Sequence, residues 1–322
     1  MSSLEAPVNR IRIGISACLL GHEVRFDGGH TRDRYVTDTL SEYFEWVPVC
    51  PEVEFGLGTP RETIQLVQVD DDVRLRFTKS NVDLTRRMRN FARKRAAQLA
   101  STSLRGYILK KNSPSCGMER VKVHQAKGPA KRYGRGLFAE ALLDRFPHLP
   151  VEEEGRLRDP RLRENWVERV FAYDAITRLW ASRWKIADLV AFHTRYKFTL
   201  LAHSEKESRE LGRLVAAAKS ISRKELRESY EDKFMSAMKK IATVRKNINV
   251  LQHMLGFFKK ELDELSRHEL LSHINDYGAG LVPLVVPMTL LRHYVRILDV
   301  DYLSDQVYLN PHPKELALRN HV

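Results

Sequence analysis

Apolar residues in the first half of the chain come in short uninterrupted runs, set apart by charged and turn-forming stretches. Arg12–Ala17 (RIGISA), Trp46–Val49 (WVPV) and Tyr107–Leu109 (YIL) have the length and continuity that predict buried strands. Val73–Phe77 alternates apolar and charged side chains, as a half-exposed strand does, and Leu149-Pro150-Val151 begins either an edge strand or the exit from the sheet. Between these runs, Thr31–Phe44, Asn81–Leu99 and Gly136–Phe146 carry apolar residues at helical spacing. Strands alternating with helices predict an α/β fold, a Rossmann-like and mostly parallel sheet.

Asp159-Pro160 then opens a helix reaching about Trp184, with aspartate as N-cap and proline at the first helical position. Beyond Lys185 the strand signals stop. Ile186–Ser204, Lys206–Ser220, Arg223–Val244, Lys246–Glu264, Arg267–Tyr277 and Pro287–Leu298 all read as helices, and Pro311-His312-Pro313 begins a loop before a short terminal helix. The expected organisation is an α/β domain over residues 1–155, a connecting helix over 156–185 and an all-helical domain over 186–322.

Composition adds a compartment and a partner. A chain of 322 residues can bury two cores, and 43% apolar with 30% charged residues describes a soluble protein. The first ten residues lack the apolar core of an export signal, and Gly280–Leu291 is about half a membrane span and carries Pro283 and Pro287. The expectation is a cytoplasmic protein with no membrane association. A net charge of +13 points to an acidic partner, nucleic acid first. GxGxxG and Walker motifs are missing, which speaks against nucleotide-dependent activation of a substrate.

The candidate chemistry sits where the strands end. Cys18, Cys50 and Cys116, the three cysteines of the chain, each follow a predicted strand. Loops at the carboxyl ends of neighbouring parallel strands converge on one crevice, so thiols 32 and 66 residues apart can meet. Three soft thiolates would favour iron–sulfur or zinc and leave one coordination position without a protein ligand. The other reading is that each thiol is a small buried apolar filler. Glu52, Ser113 and Asp27 stand near the cysteines in sequence. A carboxylate there can serve as general base toward water and a serine can position the attacked atom, or these side chains can simply shape turns.

SACLLGHEVRFDGG, VPVCPEVEFGLGTPR and LKKNSPSCG resemble the three signature blocks of the thiouracil desulfidase family. The later VAFHTRYKFTLLAHS, RKNINVLQHMLGFFKK and LVPLVVPMTLLRHY resemble a helical domain often fused behind it, an arrangement similar to bacterial desulfidases acting on 4-thiouridine in tRNA. The resemblance implies a 4Fe-4S cluster on Cys18, Cys50 and Cys116 with one open iron, and catalytic roles for Glu52 and Ser113. Phe26 stands where the family's block is expected to carry tyrosine, so no hydroxyl contact is implied there. The implied reaction is a redox-neutral hydrolysis in which iron draws electrons through the thiocarbonyl sulfur and Glu52 deprotonates the attacking water. Two alternatives stay open: a desulfidase of free thiouracil or thionucleosides, and a non-enzymatic redox-sensing nucleic-acid-binding protein.

Charge flanks the third cysteine. From Leu84 to Ala139 the single acidic residue is Glu119, among fifteen lysines and arginines. A surface that tracks phosphates is the expectation, with tRNA as partner. Candidate RNA contacts are Arg93, Lys110, Lys111, Lys131, Arg132 and Tyr133, the last three in a loop read as flexible (Lys127–Gly136), with Arg195, Lys197, Arg245 and Lys246 from the helical region. His193, His203, His253 and His293 lack i,i+4 pairing and are read as packing, hydrogen-bonding or RNA-contacting residues rather than metal ligands.

Overall fold

The computed structural model describes residues 10–313, 316 and 318–320. Residues 1–9, on which the export reading rested, lie outside the described residues, as do 314, 315, 317, 321 and 322 in the expected terminal helix. The chain divides into two compact units, residues 1–158 and 159–322.

The first unit contains strands β1 (Ile11–Ser16), β2 (Phe44–Val49), β3 (Ile64–Val69), β4 (Asp72–Phe77), β5 (Gly106–Leu109), β6 (Val121–His124), β7 (Lys131–Gly134) and β8 (Val151–Glu153). Helices α1 (Pro51–Glu54), α2 (Thr85–Leu99) and α3 (Leu137–Arg145) lie among them. One sheet has the order β2-β1-β5-β8 and is parallel throughout. Its strands are the continuous apolar runs because both faces are covered: Ile13, Ile15, Tyr107, Ile108 and Leu109 are fully buried. Gly14 is required where β1 passes the Tyr107 ring, since a β-carbon there would fall 2.2 Å from a ring carbon.

A second sheet, β4-β3-β6-β7, was visible in sequence only as Val73–Phe77. β3 and β4 form an antiparallel hairpin, β6 runs parallel to β3, and β7 returns antiparallel to β6. The stretch read as a flexible basic loop thus contains a strand, Lys131–Gly134. The helix read over Thr31–Phe44 is shorter and not an α-helix: Tyr35–Thr39 is a π-helix, Leu40–Glu42 a 3-10 helix, and Phe44 already belongs to β2. Val36, Leu40 and Phe44 are all buried and four residues apart, so the spacing marks the face that these helical turns and the start of β2 bury.

The second unit consists of α4 (Pro160–Ala181), α5 (Ile186–His203), α6 (Glu205–Ala216), α7 (Arg223–Lys239), α8 (Val244–Leu255), α9 (Glu264–Gly278), α10 (Val285–Ile297) and α11 (Asp301–Ser304). Asp159 caps α4 by accepting from the backbone N–H groups of Arg161 and Leu162. Ala172, Ile176 and Trp180 of α4 join Phe192, Tyr230 and Phe234 in one core, and α8 to α10 build a second around Leu251, Met254, Ile274 and Leu291. Among the described residues no helix is long and apolar enough to cross a membrane.

Candidate active site

The carboxyl ends of β1, β2 and β5 deliver the three cysteines to the same place, a cavity of about 360 Å³ lined by all three together with Glu52, Arg61, Lys110, Ser113 and Ser115. After β1 the chain tightens into a 3-10 turn, Ala17–Leu20, closed by Gly21 at φ 96°. After β2, Cys50 caps α1, and its backbone N–H donates to the Glu54 carboxylate at 3.1 Å. After β5, Asn112 takes a left-handed φ of 60° and the chain folds round Ser113. Ser113 Oγ accepts the backbone N–H groups of Ser115 (3.2 Å) and Cys116 (3.1 Å), and the Ser113 carbonyl accepts from Gly117 at 2.8 Å. The first turn of α3 holds this loop from behind. Leu137 N–H donates to the Pro114 carbonyl, and those of Phe138 and Ala139 donate to Ser115. Groups that a helix start leaves unpaired thus fix the cysteine loop.

None of the cysteines forms a disulfide; Cys116 is buried and Cys18 and Cys50 are half-buried. Burial is the main cause that raises all three thiols above the ordinary range, and for Cys116 the Glu52 carboxylate adds to it. Among the described residues no group of three or more His, Cys, Asp or Glu is arranged to hold a single metal ion.

Glu52 is engaged on both oxygens. Arg61 donates to Oε2 through Nε (3.0 Å) and Nη2 (2.7 Å), and Ser115 Oγ donates to Oε1 at 2.6 Å. Ser113 and Ser115 hydroxyls are 2.9 Å apart. Each hydroxyl has one proton, so with that of Ser115 given to Glu52, Ser113 must donate its own to Ser115. The result is a directed chain, Ser113 to Ser115 to Glu52, anchored by Arg61 with 4% of its side chain exposed. The Arg61 fork fills Oε2, and one acceptor position remains on Oε1 for a water.

Arg61 and Ser115 were missed in the sequence. Ser115 had a signal, a second serine beside Cys116 in SPSC; Arg61 had none, because its partner lies nine residues away across a loop. Asp27 lies outside the chain, exposed and bonded to Arg25 and the Gly29 N–H, which holds its carboxyl below the usual range. Phe26 lines the cavity and is 40% exposed.

The other predicted residues separate into two groups. Lys110 lines the cavity but is tied to Glu154 at 2.5 Å, Lys111 lines it beside Lys110, and Lys246 donates to the His203 carbonyl at 2.6 Å. Arg93, Lys131, Arg132 and Tyr133 are exposed in the first unit and Arg195, Lys197 and Arg245 in the second. The four histidines are not gathered: His193 bonds Tyr230, His203 is buried against Glu168, and His253 and His293 are exposed.

Comparison with known proteins gives the family of each region. The family model for 2-thiouracil desulfurase matches residues 13–154, and one for a protein family of unknown function, DUF1722, matches residues 197–313. The uncharacterized protein YbgA of Escherichia coli K12 is 30% identical over 161 residues, covering 50% of this chain and 95% of YbgA. The uncharacterized protein YbbK of Bacillus subtilis 168 is 32% identical over 108 residues, 32% of this chain and 71% of YbbK. A solved structure of the 4Fe-4S-dependent thiouracil desulfidase TudS is 30% identical, covering 47% of this chain and 95% of its own, with a TM-score of 0.39. The chain belongs to the 2-thiouracil desulfurase family, an enzyme family of desulfidases, and carries a DUF1722 region behind that domain.

Proposed function

We propose that the protein removes sulfur from thiolated uridine in tRNA, converting 4-thiouridine to uridine by hydrolysis, with a 4Fe-4S cluster held by Cys18, Cys50 and Cys116. The observation that carries this reading is the convergence of three thiols, Glu52 and the two serines on one cavity. The donor set suits the cluster: three soft ligands and no fourth cysteine in the chain. When bound, such a cluster supplies Lewis acidity toward the substrate sulfur and an acceptor for the released sulfide.

The chain's own residues do the proton work. Arg61 fixes the Glu52 carboxylate so that Oε1 presents its remaining lone pair to a water. Glu52 takes a proton from that water as the oxygen bonds to the carbon bearing sulfur. The C–S bond then breaks, the water oxygen becomes the carbonyl oxygen of uridine, and the water's two protons leave with the sulfur as hydrogen sulfide. No electron is gained or lost. Ser115 keeps Oε1 oriented, and Ser113, held by two backbone N–H groups, sets the position of Ser115.

RNA rather than a small molecule is supported by the +13 charge and the exposed cations of both units. The family description names 2-thiouracil, and the cavity volume also suits a free base. The test compares sulfide release from 4-thiouridine-containing tRNA with release from free 2-thiouracil. Glu52→Gln should keep the bound iron and lose turnover by about 10²–10⁴-fold, whereas Cys116→Ala should lose both. Full sulfide release by Cys116→Ala would end the proposal.

A further inference from the structure

The second unit contains its own cavity, of about 320 Å³, which the desulfidase reading does not use. That is the lower end of the volume range that takes small organic ligands, and more than a bare ion needs. Its floor is built from charges that satisfy one another. Arg319 donates to Glu164 (3.0 Å), Glu168 (2.8 Å) and the Tyr308 carbonyl (2.6 Å), and the other Glu168 oxygen faces His203 at 3.1 Å. These groups are buried, so the floor is preformed.

The remaining lining mixes apolar side chains with polar groups that keep hydrogen-bonding capacity. Thr199 is 1% exposed and its hydroxyl has no hydrogen-bond partner among the described residues. A buried hydroxyl without a partner costs roughly 1–3 kcal/mol, which a bound ligand would recover. The Tyr277 hydroxyl accepts from Asn247 Nδ2 at 3.1 Å, and Asn247 Oδ1 accepts from Tyr308 at 3.0 Å. Asn247 is left with one N–H and one lone pair, the donor–acceptor pair that reads the edge of a base. Arg161 and Arg245 line the cavity as well, both exposed, and neither side chain bonds a carboxylate among the described residues. Two exposed guanidiniums with no carboxylate partner among the described residues suit a phosphate.

We infer that this cavity binds a nucleoside monophosphate, with its phosphate at Arg161 and Arg245 and its base and ribose toward Asn247, Tyr277 and Thr199. The same chemistry is offered by a free nucleotide and by the 5′-phosphorylated end of an RNA. The site is independent of the cysteine cavity and stands or falls separately from the desulfidase proposal.

The test titrates adenosine 5′-monophosphate into the full chain by calorimetry, a purine being chosen because it is not a product analogue of the first cavity. Binding should weaken about tenfold or more in Arg161→Ala and Arg245→Ala, and several-fold in Thr199→Val, which keeps the side-chain shape. Adenosine without phosphate should bind at least about tenfold more weakly, and excess uracil should leave the titration unchanged. Undetectable binding at millimolar nucleotide, arginine variants that bind as tightly as the unsubstituted chain, or displacement by uracil would each overturn the inference. A second arm compares 5′-phosphorylated with dephosphorylated RNA oligonucleotide. A phosphate-dependent gain that Arg161→Ala abolishes identifies an RNA end as the occupant; nucleotide binding with no such gain identifies the free nucleotide.

Discussion

Ser115 has one proton and gives it to Glu52, so the hydroxyl orients the carboxylate and at the same time fixes which way Ser113 points. Ser115→Ala breaks both links without touching a cysteine. Turnover should fall about 10–100-fold at unchanged iron content, and Ser115→Thr, which restores the hydroxyl, should recover most of it. Single-turnover sulfide release with parallel iron analysis checks this; a loss of iron in Ser115→Ala would make the residue structural. In the second unit Arg319 lies between Glu164 and Glu168 with 8% of its side chain exposed. Burial and the Glu168 charge push Glu164 up to about 7. Burial acts the same way on Glu168, but the His203 bond and Arg319 outweigh it and hold that carboxyl down at about 2. The folded state therefore binds fewer protons than the unfolded at Glu168, so stability from it is gained above the unfolded value and lost as pH falls toward 2. At Glu164 it binds more, so stability declines as pH rises from about 4.5 toward 7. Arg319→Met strands both carboxylates and should cost about 3–5 kcal/mol at neutral pH, read from urea denaturation.

The cysteine loop owes its shape to α3, an element that supplies no residue to the chemistry. Gly136 precedes that helix, and a β-carbon on it would lie 2.4 Å from the Ser115 carbonyl oxygen and 2.8 Å from the Cys116 nitrogen. Both are backbone atoms and cannot yield cheaply, so Gly136→Ala should displace Ser113–Cys116. Iron content and sulfide release should fall together, whereas Gly128→Ala, in open space at a left-handed φ of 87°, should lower stability and spare the iron. The strands carrying the cysteines were legible because β1, β2 and β5 are continuous apolar runs, and a parallel sheet brings their carboxyl ends together. β6 and β7 were not, because VKVH alternates buried with exposed residues over only four positions and KRYG exposes three of its four. Their strand character comes from pairing with β3 and with each other, which local composition does not encode. The same limit hid Arg61: its forked bond with Glu52 exists only after the loop closes.

At the scale of the whole molecule the +13 charge is a long-range property, and the two units sort it into cations that are free and cations that are spent. Lys110 is bound to Glu154 and Lys246 to a carbonyl, so neither has a charge to give a phosphate without breaking an internal contact. Arg93, Lys131, Arg195 and Lys197 are exposed, whereas Arg132, also exposed, donates to the Asn112 side-chain oxygen at 3.1 Å. If tRNA is the partner, each phosphate neutralised releases counterions, and the logarithm of the binding constant falls linearly with that of salt concentration, by about 0.7–0.9 per contact. Arg93→Ala or Lys131→Ala should then weaken tRNA binding at low salt and make the slope shallower by roughly one contact each. Lys110→Ala should leave the slope unchanged and lower turnover instead, because its ammonium stands over the cysteine cavity. Filter binding of unmodified tRNA across a salt series, on the same preparations used for sulfide release, separates the two groups. An affinity indifferent to salt would assign the basic surface to solubility and return the free base as substrate.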